Sequence, residues 1–407
     1  MNHSLSHVTV LDLSRILAGP WAGQLLADLG ADVIKVERPG MGDDTRSWGP
    51  PFLRGTAGED SADAAYFLCA NRNKKSVTVD ITTSEGQSIV RDLARDVDVV
   101  LENFKVDGLK AYGLDYESLK AINPRLVYCS ITGFGQTGPY ASRPGYDFLI
   151  QAMAGLMSIT GREAGQAGAG PQKSGVAVTD LLTGLYATIG ILAALTHRER
   201  TGVGQHIDVA LMDVQVACLA NQAMNYLVGG KVPQRLGNAH PNVVPYQDFP
   251  TADGFMIIAV GNDTQFNRLC AELGLADLAT DPRFTTNQQR VANRIALVDR
   301  LCTVTRTRST AHWLAALESA GVPCGPINAI DAVFADPQVR ARDMQIELPH
   351  PVAGKVSLVA NPLRFSETPV AYRSAPPLLG EHTREVLAER LALSASRIDE
   401  LAAKGII

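Results

Sequence analysis

Short apolar runs alternate with amphipathic stretches through about the first 200 residues of the chain. His7–Leu13, Ala31–Glu37 and Val97–Glu102 have the length and β-branched content of buried strands, whereas Gly19–Leu29 and Ser84–Arg95 have the apolar spacing of helices. The same pattern predicts two more strands and a short helix, at Ser76–Asp80, Leu126–Ile131 and Tyr116–Ile122. This β-α-β rhythm predicts an α/β fold, with a Rossmann-like parallel sheet covered by helices.

The pattern changes near residue 225. Helical spacing dominates from Phe148 to Leu227, apart from a short β-rich run that leads to Asp180. Glycine and proline then interrupt the chain, a β-like run follows at Gly254–Val260, and helical segments continue to about residue 320. We therefore expect a large domain at 1–224, a smaller α+β domain at 225–330, and a C-terminal segment at 331–407 that returns to the large domain.

Composition and charge narrow the class of protein. The chain has 407 residues, which is more than one hydrophobic core usually serves, so two domains are expected. Hydrophobic residues at 46% and charged residues at 19% are ordinary for a globular enzyme and argue against disorder. The formal net charge of −5 disfavours nucleic acid or an anionic membrane as the main partner.

The cysteines and the N-terminus indicate a cytoplasmic protein. Six cysteines are scattered without a CxxC pair, as expected of reduced thiols and not of a disulfide frame or a zinc site. Asp12 and Arg15 interrupt the N-terminus too early for a signal peptide. The apolar stretch Leu181–Thr196 is shorter than the roughly 20 residues of a membrane helix, which favours a buried helix.

Asp180 is the most informative residue of the sequence. It stands immediately before the apolar helix predicted at Leu181–Leu195, where free N–H groups and the helix dipole stabilise an anion. Two interpretations stay open: an N-cap aspartate that only begins the helix, and a carboxylate nucleophile aimed into a cleft.

A second candidate is the basic turn Asn71–Lys75, which precedes a predicted strand. Arg38 follows another strand, and Lys105 follows Glu102–Phe104. Open α/β sheets bind ligands at strand ends, where arginine and lysine bind phosphates and Phe104 offers a flat face to an adenine. Any one of these cations could belong to a solvated loop, but together they favour a nucleotide-like anion.

Several other enzyme classes are disfavoured. The first βαβ turn, Ala18–Gly23, lacks the G-x-G-x-x-G spacing, and its Pro20 removes an N–H that a pyrophosphate would use, although Glu37 stands where a ribose ligand could. The eight histidines form no HxxH or HExxH pattern, and no serine, histidine and aspartate have nucleophile-elbow spacing. A dinucleotide enzyme, a metalloenzyme and a serine hydrolase are therefore not expected.

Linked motifs along the whole chain resemble the class III coenzyme A transferases, the CaiB/BaiF-like family. The motifs that carry the resemblance are Leu17–Pro20, Asp28–Gly40, Gly42–Arg46, Asn71–Ser76, Glu102–Phe104, Ile131–Pro139, Gly145–Asp147, Gly155–Gly161, Thr179–Tyr186, Gly321–Pro326, Asp336–Val339 and Leu378–Thr383. Within the family, Asn238–Gln247 is similar to the branch that uses succinyl-CoA and dicarboxylic acids such as glutarate or itaconate.

The resemblance implies a mechanism and an assembly. The family's nucleophilic aspartate matches Asp180, which would attack an acyl-CoA thioester and pass through an aspartyl anhydride and an aspartyl-CoA thioester. The reaction uses coenzyme A thioesters as substrates and implies no further cofactor and no metal. The family fold is a ring-like chain interlocked with its twin, so a homodimer is implied.

The resemblance also implies which residues contact coenzyme A. They are Leu17, Ala18, Arg38, Asn71, Arg72, Asn73, Lys74, Lys75, Asn103, Phe104, Lys105, Arg143 and Tyr146. Two features depart from the family. Ala111 stands where a basic residue is often found, and the glycine-rich lid of the formyl-CoA transferases is absent.

A dicarboxylate acceptor requires a cation for its far carboxylate. Arg15, Arg46 and Arg72 are the arginine candidates, and His240 is a further one. Arg15 is the most telling, because formyl-CoA relatives carry an uncharged residue there. Three alternatives stay open: an alpha-methylacyl-CoA racemase, which would carry a histidine in place of Tyr146, a nucleotide-dependent reductase, and a non-catalytic CoA-binding protein.

Overall fold

The computed structural model describes residues 3–407. Its strands are β1 (Thr9–Asp12), β2 (Asp32–Glu37), β3 (Phe52–Arg54), β4 (Asp60–Ala64), β5 (Lys74–Thr78), β6 (Val99–Glu102), β7 (Val127–Thr132), β8 (His206–Ala210), β9 (Tyr246–Pro250), β10 (Phe255–Ala259), β11 (Cys324–Pro326), β12 (Gln345–His350) and β13 (Gly354–Val359).

Helices account for most of the remaining regular structure. They are α1 (Ala18–Asp28), α2 (Ala65–Leu68), α3 (Ser84–Ala94), α4 (Tyr116–Ile122), α5 (Asp147–Met153), α6 (Leu156–Ile159), α7 (Val178–Thr201), α8 (Leu211–Ala217), α9 (Ala220–Gly229), α10 (Asp263–Glu272), α11 (Ala276–Thr280), α12 (Asn287–Ala292), α13 (Arg294–Thr305), α14 (Thr310–Ser319), α15 (Ile330–Ala335), α16 (Pro337–Ala341), α17 (Thr383–Leu391) and α18 (Ala395–Ala403).

The large unit is built on a six-stranded sheet in the order β5-β2-β1-β6-β7-β8. Each neighbouring pair is parallel. The order reverses between β1 and β6, which opens a crevice beyond the carboxyl ends of these two strands. The expectation of a Rossmann-like parallel sheet is confirmed, and this switch point is where a ligand site belongs.

Two hydrophobic cores cover the two faces of this sheet. Successive residues of a strand point to opposite faces, so Val10 enters one core and Leu11 the other, and Val99 and Val100 divide in the same way. Strands buried on both faces read as continuous apolar runs, which is why they stood out in the sequence.

The chain forms two compact units. The large one comprises residues 1–155, 174–223 and 338–407, and the small one comprises 156–173 and 224–337. The segment 156–173, which the sequence had assigned to the large domain, belongs to the small unit. That unit has its own core around the antiparallel sheet β11-β10-β9, which the helices of residues 263–319 cover.

Helix α7 is the one helix within residues 3–407 that is long and apolar enough to cross a membrane by length and composition. It packs against α1, α8, β7 and β8, and 44% of its most apolar stretch is buried inside the protein. A core helix passes the same test, so this feature is weak support for a membrane span.

Candidate active site

The site begins with the helix that carries Asp180. The strand predicted just before this residue is wrong, because residues 171–177 form no regular structure. Helix α7 starts at Val178 after Ala177, so Asp180 is the third helical residue and not the N-cap. Its backbone position nevertheless lies in the first turn, where unpaired N–H groups favour an anion.

The N–H groups of this first turn bind another carboxylate. Asp147, the first residue of α5, accepts hydrogen bonds from the N–H of Thr179 at 2.8 Å and of Asp180 at 3.4 Å. Its second oxygen accepts one from Nε2 of Gln151 at 2.7 Å. Asp147 therefore holds the start of α7, and its negative charge lies close to Asp180.

Two close glycine contacts bring these segments together. A Cβ on Gly184 would lie 2.7 Å from the carbonyl oxygen of Ala18, so only glycine lets α7 approach the start of α1. A Cβ on Gly133 would lie 2.6 Å from Cα of Gly145, so this pair brings the loop before Asp147 against the end of β7. Glycine at these positions is required by close packing.

Asp180 has an unusual electrostatic environment. Burial raises its pKa, the neighbouring Asp147 raises it further, and together they bring it to about 7. No lysine or arginine within residues 3–407 forms an ion pair with it. Its charge also acts on Tyr66, whose pKa burial and then Asp180 raise to about 12. The carboxyl is thus poised between its acidic and ionised forms near neutral pH.

A cavity of about 350 Å³ opens at Asp180. Several residues that the sequence analysis singled out line it together with Asp180: Arg15, Leu17, Ala18, Asn103, Phe104, Lys105, Arg143 and Tyr146. They come from the ends of β1, β6 and β7 and from the loop before α5. The sequence had placed them as separate motifs, and the switch point of the sheet brings them to one wall.

Arg143 and Arg15 are both held against aromatic rings. The Arg143 guanidinium lies 4.5 Å from the ring centre of Tyr140 and 5.3 Å from that of Phe134. Arg15 lies 5.8 Å from the ring centre of Phe104 and pairs with Asp44 at 2.9 Å. Stacking fixes the planes of these cations, which suits recognition of a phosphate or carboxylate.

A second cavity of about 310 Å³ adjoins the first and shares Arg15 and Phe104 with it. Arg38 and Tyr112 also line it. Its size, ring face and cations suit the nucleotide end of a coenzyme, while the first cavity holds the reactive carboxyl. Arg38 therefore lies away from Asp180 but along the same continuous wall.

Hydrogen bonds from neighbouring side chains fix the turn between β1 and α1. Ile16 has φ of +73°, which is rare for a β-branched residue. Its N–H lies 3.3 Å from both carboxylate oxygens of Asp43, and Nζ of Lys35 donates to the Ser14 carbonyl at 2.8 Å. Asn103 accepts from the Arg15 N–H at 2.8 Å and donates to the Arg15 carbonyl at 2.7 Å. These bonds hold a strained turn at the cavity wall.

The basic turn Asn71–Lys75, which the family resemblance assigned to coenzyme A, lines neither of the two cavities. Residues 71–74 are buried. Lys74 pairs with Asp12 at 3.0 Å, Arg72 binds both oxygens of Asp28, and Asn73 also donates to Asp28 at 2.8 Å.

Lys75, the last residue of this turn, is partly exposed. It lies 3.5 Å from Asp32 and 3.4 Å from Glu385. The turn therefore serves the interior of the large unit, where its cations neutralise buried carboxylates.

Two further candidates for the substrate carboxylate are also engaged elsewhere. Arg46 is buried and pairs with Glu37 at 2.7 Å and Asp63 at 2.6 Å, which also removes Glu37 as a ribose ligand. His240 belongs to the small unit, where Nδ1 accepts the Asn242 N–H at 3.1 Å. Of the four residues proposed for this role, Arg15 alone lines the cavity of Asp180.

Asp147 and Tyr66 lie at the site but were not predicted from the sequence. Asp147 had a signal, since it stands in Gly145–Asp147 next to a predicted helix, but nothing there indicated which backbone it would bind. Tyr66 had none, because it reaches the charge of Asp180 only through folding of the segment around α2.

Comparisons with known proteins show the family of the chain. The sequence profile of the family described as CoA-transferase family III matches residues 5–383. The chain is 55% identical over 385 residues to a succinate–glutarate CoA-transferase of Agrobacterium fabrum, and the aligned region covers 95% of each protein. It is 46% identical over 403 residues to the human succinyl-CoA:glutarate CoA-transferase, covering 99% of this chain and 90% of that protein.

A solved structure extends the match to three dimensions. The crystal structure of a CaiB/BaiF family protein from Brucella suis is similar with a TM-score of 0.84 and 54% sequence identity. The similarity covers 96% of this chain and 100% of that one.

Proposed function

The chain belongs to CoA-transferase family III and is a CoA-transferase, and from this premise we propose that it moves coenzyme A from succinyl-CoA to glutarate or a similar dicarboxylic acid. The observation that carries the proposal is Asp180, an unpaired carboxyl with pKa near 7, at the wall of a cavity that two stacked arginines also line. The named transferases of Agrobacterium fabrum and of humans support the choice of acids.

Asp180 would act as the nucleophile in four steps. Its carboxylate attacks the carbonyl carbon of succinyl-CoA, the C–S bond breaks, and a mixed anhydride and CoA thiolate form. The thiolate attacks the aspartyl carbonyl, which releases succinate and leaves an aspartyl-CoA thioester. The acceptor carboxylate then attacks this thioester, giving a second anhydride and free thiolate. Attack of the thiolate on the acceptor carbonyl yields the new CoA ester and restores Asp180.

The environment of Asp180 suits these steps. A pKa near 7 leaves about half of the carboxyl ionised at neutral pH, and the ionised form is more nucleophilic than an ordinary aspartate. The desolvation that raises the pKa also keeps away water, which would hydrolyse the anhydride. The four steps use only the coenzyme A thioester and the two carboxylic acids, and they need no electron carrier and no metal.

The ends of coenzyme A would occupy the two adjoining cavities. Arg38 and Phe104 offer a cation and a ring face to the nucleotide, and Leu17, Ala18 and Asn103 line the route to Asp180. The thioester then lies beside the nucleophile.

Trapping is the direct test of this function. Succinyl-CoA is added to the enzyme without an acceptor, hydroxylamine or borohydride is added, and tryptic peptides are examined by mass spectrometry. A modification at Asp180 supports the mechanism, and its absence there overturns it. The transfer itself is tested with a panel of carboxylic acids and succinyl-CoA, read as new CoA esters.

Arg15 is proposed to bind the far carboxylate of the acceptor. It lines the cavity of Asp180, and a charge-assisted hydrogen bond contributes about 1.5–3 kcal/mol. Arg15→Gln should therefore reduce kcat/KM for glutarate by about ten- to a hundredfold and leave that for butyrate nearly unchanged. Arg143→Gln is the matched control and should slow both acids alike, since Arg143 is assigned to coenzyme A. Equal slowing of both acids by Arg15→Gln contradicts the assignment.

We also propose a cytoplasmic homodimer. The exposed face of α7 carries Leu185, Tyr186 and Ile189, with Ile189 61% exposed, and in the small unit Leu227 and Val228 are exposed to 71% and 81%. Apolar side chains at this density favour cover by another subunit. All six cysteines are free, as in a reducing compartment. Light scattering should give twice the chain mass, and Ile189→Glu should favour the monomer.

A further inference from the structure

Three polar side chains form a row behind the turn that separates the two cavities. Glu102 ends β6, Ser130 stands beside it in register on β7, and His206 begins β8. Oε2 of Glu102 accepts the N–H of Phe104 at 2.7 Å. Ser130 faces Glu102 across the strand pair and lowers the pKa of that carboxyl as a hydrogen-bond donor does, and the Ser130 oxygen lies 2.9 Å from Nε2 of His206. The row thus runs from the surface at β8 to the backbone of Phe104.

The direction of the hydrogen bonds follows from their chemistry. An ionised carboxylate only accepts, so the Ser130 hydroxyl turns its proton towards Glu102. The Ser130 oxygen is then free to accept from His206, which must carry its proton on Nε2. His206 is exposed, and burial of part of its ring lowers its pKa against the opposing charges of Asp208 and Glu117. The ring lies 5.0 Å from that of Tyr116, stacked at 19°, and this contact holds Nε2 towards Ser130.

Glu102 is buried without a cation. Only 6% of it is exposed, and no ion pair within residues 3–407 includes it. Burial raises its pKa to about 7, against the hydrogen bonds of Ser130 and Phe104. It borders a cavity of about 260 Å³ that does not contain Asp180. The other titratable groups of this cavity are Lys105, Asp107, Lys110, Asp115, Tyr116, Glu117, Tyr128 and His206.

The row can affect the binding of coenzyme A because it supports the Asn103–Lys105 turn. Phe104 lines both cavities, Lys105 lines the cavity of Asp180, and Asn103 is bonded to the backbone of Arg15. A charge-assisted bond to the Phe104 N–H is stronger than a neutral one, so the hold on this turn changes when Glu102 takes up a proton.

We propose that Glu102, Ser130 and His206 are positioning residues that hold the Asn103–Lys105 turn for coenzyme A, so that affinity for coenzyme A falls when Glu102 is protonated while the chemistry at Asp180 is left intact. This inference rests on the proposed role of the turn in binding coenzyme A. Glu102 touches the backbone of Phe104 and not the reacting atoms, so its loss acts on binding.

Calorimetric titration of the full-length enzyme with free coenzyme A tests the proposal, from about pH 6 to about pH 8.5, across the pKa of Glu102. The wild-type Kd should weaken about 5–10-fold as pH falls through 7, beyond the titration of the coenzyme's own phosphate. Glu102→Gln should bind about 5–10-fold more weakly at pH 8 and lose this dependence, because its amide carries no charge. The KM of this variant for succinyl-CoA should rise, while its kcat should stay within about twofold of the wild-type value.

Further variants test the contributions of Ser130 and His206 separately. Ser130→Ala and His206→Phe, which keeps the stack on Tyr116, should each weaken binding about two- to threefold at pH 8. Glu117→Gln is the matched control, since Glu117 lines the same cavity, is exposed, and its side chain forms no hydrogen bond with the described residues 3–407. It should bind as the wild type does.

The affinity, pH dependence and kinetics of these variants decide whether Glu102 is a positioning residue. Wild-type affinity and pH dependence in Glu102→Gln, or a fall in kcat without a change in KM, overturns the proposal. If Glu102→Gln does not fold, a wild-type Kd that follows only the phosphate titration overturns it equally. Absence of transfer to every acid, with binding still dependent on Glu102, overturns the proposed acceptor chemistry and leaves the positioning role standing.

Discussion

Two sets of buried or partly buried carboxylates lie along the same edge of the large sheet, and they differ in their partners. On the side of β1, β2 and β5, Asp12 pairs with Lys74 at 3.0 Å, Asp43 with Lys35 at 2.9 Å and Glu37 with Arg46 at 2.7 Å. Across the switch point, Asp180 and Glu102 have no cation within residues 3–407.

The two sets therefore shift in opposite directions. Burial opposes the charge of Asp43, but Lys35 and the hydrogen bonds of Thr45 outweigh it and lower the pKa to about 2. The pKa values of Asp12 and Glu37 are lowered in the same way. Burial without a cation raises the pKa of both Asp180 and Glu102 to about 7. Among these five carboxyls, the pKa is lowered where a cation is paired with the group and raised to about 7 where none is.

The largest effect on activity should come from replacing Asp180, the proposed nucleophile. Asp180→Asn keeps the shape but removes the attacking oxygen, so formation of glutaryl-CoA from succinyl-CoA and glutarate should fall by more than about a thousandfold. Chromatography of the CoA esters measures it, and an unchanged circular dichroism spectrum shows that the variant is folded. A variant that retains more than a few per cent of activity would remove Asp180 from the mechanism.

Breaking a pair on the other side should affect stability. Lys74→Met leaves Asp12 buried without its cation, which should lower the free energy of unfolding by about 3–5 kcal/mol. Lys75→Met is the adjacent control: that lysine is partly exposed in its pairs with Asp32 and Glu385, and its loss should cost less than about 1 kcal/mol. Urea unfolding measures both. Equal effects of the two substitutions would show that the buried pair is not special.

The pH dependence of turnover should depend on Asp147. As the proposed nucleophile, Asp180 would attack only when ionised, so kcat should fall as pH decreases through about 7. Asp147→Asn removes a neighbouring negative charge that raises this pKa, and the acidic limb should move down by about one pH unit. Measuring kcat at saturating substrates separates this effect from coenzyme A binding. An unmoved limb, or one displaced to higher pH, argues that Asp147 does not tune Asp180.

The smallest effect is a gain in stability. The folded pKa of Asp180, about 7, exceeds its ordinary 3.8, so the folded protein loses stability as pH rises through this interval. Asp180→Asn should therefore raise the free energy of unfolding at pH 8 by about 1–3 kcal/mol, discounted because Asp180 is only partly buried. The gain should shrink towards pH 5. A variant less stable than the wild type at pH 8 would contradict the uncompensated burial of Asp180.

From the sequence alone, a parallel βαβ sheet was predicted and Asp180 was proposed as the nucleophile, but β8 lies within the stretch 148–227 that was predicted to be mainly helical. Strands buried on both faces appear as continuous apolar runs, so the βαβ order could be read directly, and the helix at Tyr116–Ile122 has the predicted bounds. Asp180 was identifiable because a lone carboxylate before a long apolar helix is conspicuous, and the resemblance to the family gave it a role.

The tertiary structure decided which charges are buried and paired. Asn71–Lys75 reads as an exposed basic turn, because lysine and arginine are rarely buried. Lys74 nevertheless reaches Asp12 across 62 positions and Arg72 reaches Asp28 across 44. Neither separation leaves a periodic signal in the chain. The raised pKa values of Asp180 and Glu102 were hidden for the same reason: they follow from burial that no nearby cation offsets, and only packing decides which side chains are buried and which are neighbours.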